Sequence, residues 1–108
     1  MKKGEKWITK NTDALFEAIL RLENLDEARR FFRDLMAEKE IAEFSNRWKA
    51  ARMLDQKIPY VAIAKETGLS STTIARVQKW LTGDLGGYRT IISRIHHHDS
   101  IRSRRGLS

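Results

Sequence analysis

One proline and six glycines are the only strong helix breakers in 108 residues. Nowhere do β-branched residues alternate with polar ones as a half-buried strand requires. Such a chain is all-α, and its length supplies one domain but not comfortably two. Apolar spacing marks out the helices. Leu15, Ile19 and Leu22 share a face, with Phe16 and Leu20 beside them, which predicts a helix from Asp13 to Leu22 capped by Thr12. Leu25 to Met36 gives a second, with Ala28, Phe31, Phe32 and Leu35 apolar and Asp26 and Glu27 in the first turn, where the dipole favours anions. A third runs from about Glu38 to Gln56 on the stripe Ile41, Phe44, Trp48, Ala51 and Leu54. Phe31, Phe44 and Trp48 read as core.

Lys57-Ile58-Pro59 breaks the pattern, and proline is tolerated as a new helix begins. Residues 60–80 then read as two short helices around a tight turn. The first spans Tyr60 to Thr67. Gly68 ends it, because glycine enters the left-handed region without a Cβ penalty. Ala64 lies four residues earlier and is small enough for close helix approach. Ser70 is a good cap for a second helix reaching about Leu81. Ile63, Leu69, Ile74 and Val77 are the expected buried positions. This leaves Ser71, Thr72, Ala75, Arg76 and Lys79 on an outer face that is small at its start, rich in hydroxyls, basic, and free of acids. Hydroxyls suit phosphate and base contacts, and an arginine can fork onto guanine. The pattern is that of a helix-turn-helix that reads double-stranded DNA, with Lys65, Ser70, Ser71, Thr72, Thr73, Arg76 and Lys79 as DNA-binding positions. The alternatives are a helix-turn-helix used for protein contact, for instance with RNA polymerase, or for RNA.

Charge agrees with a polyanionic partner. The formal net charge is +7, and the excess lies on the ends and on the helix-turn-helix. A basic arm covers residues 1–10, a single helical domain 11–98, and a basic, disordered tail 99–108. A last helix, Tyr88 to His97, rests on Ile91, Ile92 and Ile95. Trp7 and Ile8 are apolar within the charged arm, placed either to dock on a partner chain or to stay disordered. The absence of cysteine removes disulfides, thiolate zinc sites and cysteine nucleophiles together. No apolar run approaches membrane length, and the expected location is the cytoplasm. His96, His97 and His98 are adjacent, point about 100° apart on a helix, and so do not converge on a metal. No catalytic grouping or phosphate loop emerges, so no enzyme is expected.

The run Gly68-Leu69-Ser70-Ser71-Thr72-Thr73-Ile74-Ala75-Arg76-Val77 looks like the recognition motif of many bacterial repressors. Residues 35–81 together resemble the Trp repressor family, and its Trp-repressor-like bacterial branch in particular. The resemblance implies an intertwined homodimer of five to six helices per chain, acting as a transcription regulator of the repressor class. It also implies a small-molecule site. Arg47 and Arg76 match two arginines that hold the family's tryptophan ligand, and Thr73 matches a threonine beside it. Val77 and Trp80 stand where the family has glycine and serine, and both would crowd an indole. No cofactor is therefore expected, tryptophan least of all, although another effector stays open. The Trp80 side chain itself is expected to fill that space. Arg47 has a plainer reading as well, a pair with Glu43 one turn back.

Overall fold

Reciprocal threonines start the first helix. In this computed structural model, which describes residues 5–104, the Thr12 backbone N–H donates to Thr9 Oγ1 at 3.0 Å and the Thr9 N–H donates to Thr12 Oγ1 at 2.8 Å. Thr9, not Thr12, is therefore the cap, and α1 spans Lys10–Ile19. The expected cap is displaced because two threonines three apart satisfy two orphan N–H groups at once. Upstream, the Trp7 ring meets Phe16 edge-on with centroids 6.3 Å apart. Lys2, Lys3 and Arg105 lie outside the described residues, as do the side chains of Arg102 and Arg104.

Asn24 caps α2, Leu25–Leu35, by accepting from the Glu27 N–H at 2.9 Å. Glu40 Oε1 accepts from the Ala37 N–H at 2.9 Å as α3, Glu38–Asp55, begins. Then follow α4, Tyr60–Thr67, α5, Ser71–Leu81, and α6, Gly87–Arg104. Six helices and no strand make up the described residues. None of these helices is long and apolar enough to cross a membrane. The apolar pattern ends α6 at His97, yet the helix continues to Arg104 and takes in part of the tail expected to be disordered. No glycine or proline stands between Gly87 and Gly106, so nothing in the backbone stops propagation where the apolar contacts run out.

The chain divides into two compact units, the first ending at Ala42 and the second beginning at Glu43, inside α3. In the first, neither α1 nor α2 has a buried residue. The core belongs to the second: Ala50, Ala51, Leu54, Ile63, Ile74, Val77, Leu81 and Ile92. The α3 stripe is buried only over its later half. Phe44, expected in the core, is 44% exposed, whereas Trp48 packs partly buried against the cluster. Of Ile91, Ile92 and Ile95, the expected contacts of α6, only Ile92 is buried.

The end of α3 carries a conformational cost. The Lys57 N–H bonds Leu54 O at 2.9 Å and the Ile58 N–H bonds Met53 O at 3.0 Å. These two bonds put Lys57 at the left-handed position of a Schellman turn, with φ 65, where a Cβ is penalised. The lysine's charge suits the helix C-terminus and offsets part of that cost. Lys57→Gly should raise unfolding free energy by about 0.5–1 kcal/mol, the left-handed penalty less the lost charge–dipole contact, measured by denaturant titration; a loss of stability would mean that the strain is negligible.

Candidate functional site

Hydrogen bonding at the turn between α4 and α5 fixes the outer face of α5. Gly68 takes φ 74, and its N–H donates to Ala64 O at 2.8 Å, closing α4. The Thr67 hydroxyl, in a residue only 7% exposed, donates to Ile63 O at 2.8 Å and accepts from the Leu69 N–H at 3.2 Å. Thr67 thus ties the helix end to the turn, a role its sequence position did not signal. Ser70 Oγ accepts from the Thr73 N–H at 3.2 Å and donates to Thr73 Oγ1 at 3.1 Å. Lys49 Nζ meets Glu66 Oε2 at 3.0 Å and adds a surface tie between α3 and α4.

Beneath this turn, Ile63, Ile74 and Val77 are fully buried and pack in one cluster with Ala50 and Ala51. Each large aliphatic side chain contributes about 1.5–3 kcal/mol by leaving water. Leu69 and Ala64 pack partly buried against them. With one side of α5 anchored, Ser71, Thr72, Ala75, Arg76 and Lys79 are all exposed, as are Lys65 on α4 and Ser70 at the cap. Thr73 is half-buried. No acid occurs in α5. Among the described residues the Lys65, Arg76 and Lys79 side chains make no hydrogen bond or ion pair, so their charges face outward uncompensated.

The positions matched to a ligand site separate into three environments. Val77 is sealed in the core, Thr73 is engaged in the Ser70 cap, and Arg76 is exposed. Arg47 and Trp80 do come together: the guanidinium lies 5.9 Å from the Trp80 ring centroid and 5.5 Å from that of Phe44. Its Nη2 is 3.6 Å from Glu43 Oε1, so the one-turn pair is present alongside the stack. Arg47 Nε is buried without a hydrogen-bond partner. Its charge also reaches Tyr88, whose hydroxyl is pushed above 10.0 by burial while Arg47 pulls it down. Tyr88 stacks obliquely on Trp48 with ring centroids 6.2 Å apart.

Trp48, Trp80, Leu85, Tyr88 and Ile91 line an open cavity of about 1000 Å³ that Lys79 and Asp84 also border. Its lining is mainly apolar and aromatic, and Trp80, 46% exposed, borders it rather than filling an enclosed slot as expected. His96, His97 and His98 are all exposed on α6. No cluster of metal-ligating groups forms among the described residues.

The sequence model of the family described as Trp repressor protein matches residues 10–96. Among curated proteins the chain is similar to the uncharacterized protein YerC of Bacillus subtilis (strain 168), with 40% identity over 86 residues, covering 80% of this chain and 83% of YerC. Two crystal structures are similar as well. A TrpR-like protein from Eubacterium eligens has a TM-score of 0.77 at 40% identity, over 82% of this chain and 91% of its own. A Trp repressor candidate from Staphylococcus aureus has a TM-score of 0.81 at 38% identity, over 89% and 96%.

The cap is the part of this site most open to direct measurement. Ser70→Ala removes the acceptor for the Thr73 N–H and should lower unfolding free energy by about 1 kcal/mol, read by thermal or denaturant melting. An unchanged midpoint would remove Ser70 from the account of how α5 starts.

Proposed function

The chain belongs to the Trp repressor family, and from that membership we propose that it is a sequence-specific DNA-binding regulator of transcription acting as a homodimer. The observation that carries this reading is the outer face of α5, where Ser71, Thr72, Ala75, Arg76 and Lys79 are exposed together on a helix with no acid. A duplex presents a line of phosphates that any carboxylate on this face would repel. The small residues at the start of α5 let a base edge approach, and Arg76 and Lys79 reach farther along the groove. Lys65, Ser70 and Thr73 border the face, where phosphate contacts fix register.

The homodimer accounts for apolar surface that the single chain leaves in water. Phe16, Leu20, Leu25 and Leu35, on or beside α1 and α2, which bury no residue, are at least 45% exposed, and Phe44 on α3 is 44% exposed. A second copy of this chain is the cover the proposal assigns to that surface. Two copies related by a two-fold axis present two α5 helices to a palindrome with half-sites one turn apart, ~34 Å, the spacing general to helix-turn-helix dimers, Trp repressor among them. The Arg47–Trp80 stack supports a reading head set without tryptophan, because Trp80 and the buried Val77 occupy positions that an indole ligand would need small.

Selection from random duplex DNA tests the whole reading, with an enriched palindrome expected and capture of RNA or of polymerase alone counting against it. On the selected site, Arg76→Ala should weaken binding by about 1–3 kcal/mol, with little change on random duplex. Equal losses on both would make Arg76 a phosphate contact. Trp80→Ala should weaken binding to the selected site, and adding free tryptophan to the unaltered protein should change nothing. Full binding by the Trp80 variant would discard the stack as a positioning device.

A further inference from the structure

The placement of Arg89 runs against the electrostatics of its own helix. It is the third residue of α6, at the positive end of the helix dipole, in a first turn that holds no acid. A cation there is disfavoured. Its guanidinium leaves α6 altogether: Nη1 donates to Leu81 O at 2.8 Å. Leu81 is the last residue of α5, and its carbonyl has no acceptor role within the helix. At that negative end a cation is favoured, and the bond is charge-assisted.

The loop is shaped around this contact. Gly86 takes φ +66, and a Cβ on it would stand 2.9 Å from Arg89 Nη2. Glycine at this point both allows the turn and keeps the guanidinium's path open. Next to it, Thr82 Oγ1 donates to Gln78 O at 3.1 Å, a second bond to a carbonyl that already accepts from the Thr82 N–H. Tyr88, adjacent to Arg89, stacks on Trp48 of α3. The first turn of α6 therefore holds the end of α5 through one side chain and contacts α3 through the next.

We propose that Arg89 is a positioning residue for DNA reading, locking the C-terminal end of α5 so that its outer face meets a groove at one fixed angle. This rests on the assignment of α5 as the DNA-reading helix. Ser70 and Gly68 set one end of the rod; at the other, Leu81 is held in the core by apolar contact, and the exposed Arg89 adds the directional bond. Apolar contact alone keeps α5 on the core and its charges near DNA but leaves the angle of its base-reading side chains less sharply defined. Loss of the lock therefore costs discrimination and spares general affinity. A direct phosphate contact by Arg89 would do the opposite.

The test compares Arg89→Ala and Arg89→Lys with the unaltered protein on the selected palindrome and on random duplex of equal length, each across a salt series, with circular dichroism confirming helix content. Arg89→Ala should lose affinity severalfold on the palindrome and hold its random-duplex affinity and salt slope. Arg89→Lys, which keeps a donor and its charge, should recover most of the loss and serves alone if the alanine variant does not fold. Equal losses on both duplexes with a salt slope shallower by about one would make Arg89 a backbone contact and overturn the proposal. So would unchanged binding by the alanine variant, or no recovery in the folded lysine variant. If the unaltered protein selects no duplex at all, the DNA-reading assignment itself falls and takes this role with it.

Discussion

Ala50 and Ala51 on α3 present almost no side chain, and against that flat strip Ile63, Ile74 and Val77 exclude water completely. The geometry of α4 and α5 depends on this contact. Larger residues at these two positions would have to fit into a cluster already closed to water. Close packing of this kind tolerates little displacement, because even a methylene-sized gap forfeits dispersion contacts all around it. The hydrogen bonds at Thr67, Ser70 and Arg89 refine an arrangement that the aliphatic contact first imposes.

The contrast between the two units follows from the same physics. From Glu43 onward there is a nucleus with fully buried side chains, whereas α1 and α2 carry apolar faces and bury none of them. Helices of ten and eleven residues have little intrinsic stability in water and draw most of it from what they pack against. Capping at Thr9 and Asn24 defines where they start but does not supply that packing. The proposed homodimer is the arrangement in which these two helices gain a core.

Legibility in the sequence tracked how local each rule was. The ends of α4, the left-handed Gly68, the Ser70 cap and the buried Ile63, Ile74 and Val77 could all be read, because each depends on neighbours within a few positions. Lys57 hid the end of α3, since a lysine stands where glycine usually announces such a turn. Phe44 was misread as core because periodicity identifies an apolar face but not whether the same chain covers it. Arg89 gave no signal: its partner is eight residues back on another helix, and in the sequence it is one more cation in a basic segment. Arg47 was legible as the partner of Glu43, but its stack on Trp80 required the fold. Val77 was read in two ways, and burial places it in the core.

The inner and outer sides of α5 answer to different demands. Eleven residues hold the aliphatic anchors Ile74, Val77 and Leu81 on one side and short, exposed side chains at Ser71, Thr72 and Ala75 on the other. Exchanges on the exposed side leave the anchors untouched, and exchanges among the anchors leave the exposed chemistry as it was. Under the proposed DNA-reading role, descendants of this chain can drift toward new targets through the outward residues while the anchors keep the fold. Related proteins with one scaffold and divergent preferences are the evolutionary pattern such a division permits.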